Sequence, residues 1–143
     1  AAKKILQFSE VLRGHTGAIY DVKYDPRGSL LASGSLDCSV RIWNVRTKSS
    51  SSSREMRSFH GHAINVSTLA WSRHSDMILS GSYDGSVRLW DVESGREVME
   101  FELPGMVQSL TWAPDASYSS SRVSSRENPG SGMGENQKPF GGS

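Results

Sequence analysis

The feature that most constrains this chain is a pattern that occurs twice. From Gly14-His15 it runs through Ile19-Tyr20-Asp21-Val22-Lys23-Tyr24, then Leu31-Ala32-Ser33-Gly34-Ser35, Asp37 and Val40-Arg41-Ile42-Trp43-Asn44. The same order returns at Gly61-His62, Val66 to Trp71, Ile78-Leu79-Ser80-Gly81-Ser82, Asp84 and Val87-Arg88-Leu89-Trp90-Asp91. His15 and His62, Asp37 and Asp84, and Trp43 and Trp90 each lie 47 residues apart. A repeat at fixed spacing is one small unit that buries its apolar face only against its neighbours. The chain is therefore read as a stack of units before any residue is read alone.

Within a unit the signals are those of hairpin-linked strands. Residues 18–24, 30–35 and 39–43 are rich in apolar residues, and Asp25-Pro26-Arg27-Gly28 between the first two is a turn sequence, because Pro presets φ and Gly accepts positive φ. A weaker fourth strand is expected around 55–59. The second set is expected at 66–71, 77–82, 86–91 and 97–101, and 106–112 resembles the opening strand of a third unit. A short strand is also expected near 4–8. Ser49 to Ser53 is a run of five serines that buries too little to offset its ordering entropy, so it reads as a mobile surface loop. The pattern stops after Ala113-Pro114-Asp115. Residues 116–143, mostly Ser, Gly, Asn, Glu and Arg, are expected to form a disordered Ser/Gly-rich tail.

Lys+Arg 16 against Asp+Glu 15 leaves a formal charge of +1, which argues against a large nucleic-acid footprint. Cys38 is the single cysteine, so the chain builds no internal disulfide framework. No apolar run reaches membrane-spanning length and the start lacks a secretory pattern, so an intracellular protein, nuclear or cytoplasmic, is expected.

The paired marks Gly14-His15 with Asp37 and Trp43-Asn44, and Gly61-His62 with Asp84 and Trp90-Asp91, resemble the WD40-repeat family. The likeness covers about residues 4–115 of a repeat segment bounded at 1–115, with units at about 12–47 and 59–94 and a partial one at 101–115. It implies an all-β fold: a partial WD40-type β-propeller of about two to two and a half four-stranded antiparallel blades. Each sequence unit would start with the outer strand of one blade and continue with the inner three of the next. A seven-bladed ring needs about 280 residues or more. This chain is then expected to be a fragment or a shortened form of a larger propeller; the alternative is that its open blade faces and strand edges are completed by self-association or by a partner chain.

In the family, the repeated residue types form a buried hydrogen-bond chain from Trp to Ser to His to Asp. Here the two sets are His15, Ser33, Asp37 and Trp43, and His62, Ser80, Asp84 and Trp90. Ser, His and Asp together also suggest a hydrolytic triad, but each Ser lies inside a strand, and the whole set recurs at the same spacing. A zinc site finds no tetrahedral set near His15, Cys38 or the His60/His62 pair. No metal or cofactor is expected. Val22, Tyr24, Leu31, Val40 and Ile42 are expected in the core, as are Leu69, Trp71, Ile78, Val87, Leu89, Leu110 and Trp112. Cys38 takes the turn slot held by Gly85 in the second unit.

Similar propellers recognise partners through three rim positions per unit. Carried to this chain these are Ala18, Tyr20 and Leu36, then Asn65, Ser67 and Tyr83, then Met106 and Gln108. Leu36 and Tyr83 directly precede the turn Asp, where packing gives no reason for Leu or Tyr. The resemblance implies a non-enzymatic scaffold or adaptor that binds proteins or peptides in a multisubunit complex. Three alternatives stand beside it. Trp43-Asn44-Val45-Arg46 is similar to the WDxR signature of cullin–RING ubiquitin-ligase substrate receptors, with Asn in place of Asp. An RNA-binding propeller and a propeller enzyme are the others, and the chain lacks paired carboxylates, a nucleophile elbow and a Gly-rich phosphate loop.

Overall fold

The computed structural model describes residues 10–46 and 54–113, together with the backbone of a strand at 122–125. The expected strand at 4–8, the serine run and most of the tail lie outside the described residues. Nine strands follow the two-and-a-fraction pattern: β1 (Ile19–Tyr24), β2 (Leu30–Ser35), β3 (Ser39–Asn44), β4 (Glu55–His60), β5 (Val66–Trp71), β6 (Met77–Ser82), β7 (Ser86–Asp91), β8 (Glu97–Glu102) and β9 (Val107–Thr111). A tenth, β10 (Arg122–Ser125), pairs antiparallel with β9. It falls within the stretch expected to be disordered, so at these four residues the expectation is corrected. Arg122, Val123, Ser124 and Ser125 extend the third unit by a second strand. The sheets run β1-β2-β3-β4, β5-β6-β7-β8 and β10-β9.

The β1–β2 turn forms because Asp25 satisfies it from within. Its carboxylate accepts the Ser29 and Leu30 N–H groups, both at 2.7 Å, and Gly28 supplies φ +65°. Burial pushes the Asp25 carboxyl up, but hydrogen bonds from Leu30, Ser75, Ser29 and Arg27 outweigh it and hold the group below its ordinary range. Ser72 takes the equivalent place in the second blade and accepts the Met77 N–H at 3.0 Å, with Ser75 at φ +64° in the glycine slot.

The core lies between sheets rather than within one. Ala32, Val40, Ile42 and Phe59 of the first blade meet Val66, Leu69, Trp71 and Ile78 of the second, with Trp90 and Val92. The Phe59 and Trp90 rings stack at 5.1 Å. Leu79, Val87 and Leu89 repeat the packing against Val107 and Leu110 of β9. A glycine in each second strand permits the close approach. A Cβ on Gly34 would come within 2.7 Å of Val66 Cγ1, and one on Gly81 within 2.4 Å of Val107 Cγ1. Polar links repeat too. Asp21 accepts the Leu69 N–H at 2.8 Å, and Thr68, in the matching place, accepts the Leu110 N–H at 3.2 Å.

Two core expectations are corrected. Val22 is 53% exposed and Tyr24 65%, whereas their repeat partners Leu69 and Trp71 are 1% and 8%. The side chains are of one chemical class, and what differs is the neighbouring sheet. Leu69 and Trp71 face the first blade, and among the described residues no sheet covers Val22 and Tyr24. Leu31 is half-buried for the same reason. At the other end Phe101 is 40% exposed, whereas Phe59, its counterpart in the first blade, is 2% exposed under Trp90.

Candidate functional site

The repeated polar residues converge in each blade. Trp43 Nε1 donates to Ser33 Oγ at 2.8 Å, Ser33 Oγ lies 2.7 Å from His15 Nε2, and His15 Nδ1 lies 2.9 Å from Asp37 Oδ2. In the second blade Trp90 Nε1 donates to Ser80 Oγ at 2.8 Å, and Ser80 Oγ lies 2.7 Å from His62 Nε2. There the direct His–Asp contact lengthens to 3.6 Å. Ser86 bridges it: its Oγ is 2.7 Å from His62 Nδ1 and donates to Asp84 Oδ1 at 2.6 Å. Ser39 holds the same place in the first blade, 3.2 Å from His15 Nδ1 and 2.6 Å from Asp37 Oδ1. The sequence reading missed this fifth member. Its signal was present, because Asp-x-Ser recurs in phase at Asp37 to Ser39 and Asp84 to Ser86.

Donor counting places the protons from both ends. An indole N–H only donates, so each Ser Oγ accepts from Trp. A carboxylate only accepts, so the Nδ1–H of His15 donates to Asp37; Ser86 Oγ donates to Asp84, so the Nδ1–H of His62 donates to Ser86. In the second blade, where the imidazole is held neutral, Nε2 then accepts the Ser80 hydroxyl, and the chain runs one way from indole to carboxylate. The electrostatics agree. Burial pushes the His62 imidazole down, helped by the Arg88 charge, and these outweigh the pull of Asp84 toward protonation. Burial pushes the Asp84 carboxyl up, yet hydrogen bonds from Ser86 and the Ala63 N–H bring it to about 2. Asp37 is held lower still: burial is outweighed by Ser39, the Thr16 N–H and His15.

A Ser–His–acid order also describes a hydrolytic triad. Here each Ser Oγ already accepts an indole N–H, and Ser33 and Ser80 are buried inside a strand. A nucleophile needs an open approach for substrate, and these oxygens have none. The arrangement braces each blade by tying the loop before its inner strand to the β2–β3 or β6–β7 turn. Among the described residues, no group of three or more His, Cys, Asp or Glu side chains is placed to hold a metal ion.

The rim residues divide. Leu36 N–H donates to Ala18 O at 2.8 Å and Tyr83 N–H to Asn65 O at 3.4 Å, so backbone bonds join the first and third positions in each unit. Tyr20 and Tyr83, from different blades, meet with ring centroids 6.5 Å apart and planes tilted 47°. Tyr20, Leu36, Tyr83, Met106 and Gln108 are exposed. Two candidates are placed differently. Asn65 is buried, with Nδ2 unpartnered. Ser67 is half-buried and its one hydroxyl hydrogen is shared between Gly81 O, 3.0 Å from Oγ, and Val107 O, so the hydroxyl is committed to joining blades. Ile64, which the sequence reading passed over, adds an exposed apolar side chain in the loop before β5.

The WD domain, G-beta repeat family matches this chain at residues 6–44 and 53–91, both complete copies of the pattern. The chain belongs to the WD40-repeat family. THO complex subunit 3 of Arabidopsis thaliana is 36% identical over 111 residues, covering 77% of this chain and 35% of that protein. The probable E3 ubiquitin ligase complex SCF subunit sconB of Aspergillus oryzae is 39% identical over 56 residues, covering 39% of this chain and 7% of its own length. The β-propeller domain of Cps50 (Swd1) from Myceliophteria thermophila superposes with a TM-score of 0.62 at 30% identity, covering 70% of this chain and 30% of that one. This chain thus spans about a third or less of the length of these WD40 proteins. The described residues form a partial propeller: two complete blades and the opening of another. No helix among them is long and apolar enough to cross a membrane.

Proposed function

We propose that this WD40 segment is a non-enzymatic scaffold that binds a peptide or subunit of a multiprotein assembly on the rim formed by Tyr20, Leu36, Tyr83 and Met106, with Gln108 beside them. The observation that carries this reading is the Tyr20–Tyr83 pair, two exposed rings brought together from separate blades. Tyr at such a position supplies a large contact area with a polar handle, the composition typical of protein-binding hot spots. Subunit roles in the names of two relatives, one of a THO complex and one of an SCF complex, support a place in an assembly. The setting is intracellular, in nucleus or cytoplasm.

Affinity capture with wild type and with the Tyr20→Ala/Tyr83→Ala double variant, quantified by mass spectrometry, tests this. Partners specific to the rim drop out while the circular dichroism melt stays in place. Unchanged recovery refutes the rim. A ubiquitin-ligase receptor is the second reading. It is favoured by the likeness to the SCF subunit and by Arg46, which is exposed just after Asn44, whose Oδ1 accepts the Arg46 N–H at 3.1 Å. Co-purification of a cullin adaptor that is lost in Arg46→Ala supports it. The Val22 and Tyr24 face, which no sheet covers among the described residues, also offers self-association, read by a rise of solution mass with concentration.

A further inference from the structure

Leu36, Tyr20, Tyr83, Ile64 and Met106 run as one strip across three units. Leu36 lies over Gly17, where an added Cβ would stand 3.0 Å from Leu36 Cβ. Tyr83 reaches from the second unit to the Tyr20 ring, and its N–H holds Asn65 O, in the loop that carries Ile64. Gly105 O lies 3.3 Å from where a Cβ on Gly85 would stand, so Met106 borders the turn that carries Tyr83. All five side chains are exposed. Apolar residues scattered singly are ordinary on a surface, whereas a run assembled from three units marks a contact site.

Outward charge is scarce along this strip. Asp37 and Asp84 directly follow Leu36 and Tyr83, but both carboxylates are turned inward, with side chains 11% and 16% exposed. Asp37 accepts from His15 Nδ1, the Thr16 N–H, and the Ser39 N–H and hydroxyl. Asp84 accepts from the Ala63 N–H and from the Ser86 N–H and hydroxyl. His60 and Glu102 end the outer strands β4 and β8, opposite Ser39 and Ser86, and so stand at the outer border. Arg13 precedes Gly14, which lies against Arg41 and Glu55 of β3 and β4, on the same outer side. Exposed charge collects instead at the other ends of the strands, on the turns that carry Arg27, Arg73, Asp76, Glu93 and Arg96.

Resting on the rim as a contact surface, we infer that it takes an uncharged segment of a partner protein, led by large aliphatic or aromatic side chains and held by apolar burial rather than ion pairing. A charged segment would lose water beside Leu36, Ile64 and Met106 with no outward counter-charge to meet it. A membrane surface fits less well. Interfacial binding is led by apolar faces rich in flanking Lys and Arg, whereas an imidazole, an acid and one arginine border this strip.

A random-peptide display library is selected on the full chain and, in parallel, on the Tyr20→Ala/Tyr83→Ala variant. Peptides held by wild type and lost in the variant are rich in Leu, Ile, Met, Phe and Trp and poor in Lys, Arg, Asp and Glu. Made as synthetic peptides and titrated by calorimetry, they bind with a negative heat-capacity change, and their affinity holds within about twofold from low to high salt. Ile64→Glu weakens them about tenfold, the loss ordinary for an anchor contact. Met56→Glu, at an exposed apolar side chain on the outer strand β4, leaves them unchanged. Both sites are exposed, and unchanged melting confirms that the variants fold. Charged side chains enriched among the rim-dependent peptides, a steep loss of affinity with salt, or full affinity in Ile64→Glu overturns the apolar class and leaves the rim standing as a contact surface. Absence of any peptide lost in the double variant removes the rim itself. Cosedimentation with phosphatidylcholine vesicles, or a solution mass that doubles in wild type and not in the double variant, assigns the strip to a lipid surface or a second copy and also overturns it.

Discussion

Ser80→Ala is the sharpest test of the buried chain. Ser80 is fully buried, and its Oγ serves two partners: it accepts from Trp90 Nε1 at 2.8 Å and sits 2.7 Å from His62 Nε2. Alanine removes one atom and orphans two groups, an indole N–H at one end and an imidazole acceptor at the other. Each orphaned buried group costs about 1–3 kcal/mol, so for two the loss is about 2–6 kcal/mol. With a urea slope of roughly 2 kcal/mol per molar, the middle of the usual range, the unfolding midpoint falls by about 1–3 M. Urea denaturation followed by tryptophan fluorescence reads this, with the exposed Ser94→Ala as control. A second background isolates the cause. In Trp90→Phe the indole donor is already gone, so Ser80→Ala orphans only His62 and its cost falls by about 1–2 kcal/mol. A loss below about 0.5 kcal/mol, the level of an ordinary surface change, refutes the bracing role. So does a cost that is the same in both backgrounds.

Acid weakens the fold in two stages of one sign. His62 is held neutral with a lowered pKa, so the unfolded chain takes up a proton first, and stability begins to fall as pH drops below about 6.5. Asp84 moves from 3.8 to about 2, so its contribution is full above its unfolded value and is lost as pH falls toward 2. That shift corresponds to about 2 kcal/mol, or about 1 after screening on its solvent-facing side. Denaturation series at several pH values check this, and Asp84→Asn flattens the curve between about pH 5 and 3; an unchanged curve counts against it. Phe59→Ala removes the ring stacked on Trp90 and costs about 3–5 kcal/mol, whereas Phe101→Ala at its exposed counterpart costs under about 1 kcal/mol. Equal costs at the two sites contradict the blade packing described above.

Much of this architecture is written locally. Asp25-Pro26-Arg27-Gly28 carries its own turn chemistry, and all nine strands through β9 begin and end within about two residues of the sequence expectation, because side-chain alternation and turn residues act over a few neighbours. What was not legible depends on a second body. Val22 and Leu69 have the same class of side chain and opposite exposure, because burial belongs to the pair of sheets and not to either strand. Asn65 and Ser67 read as surface positions by repeat phase. One is buried in the structure, and the other donates across to Val107 O. Ser39 and Ser86 were readable but overlooked, because a hydroxyl two residues after an acid also serves as ordinary turn chemistry.

Leu36 and Tyr83 each stand one place before a carboxylate that ends a buried proton chain. The anchorage of the scaffold and the aim of its contact residues therefore share two hinges. Damage deep in either blade will swing an outward side chain that it never touches. A variant such as Ser33→Ala can lose a partner while every docking residue is intact, and screens that score only association will misfile it as a contact mutant.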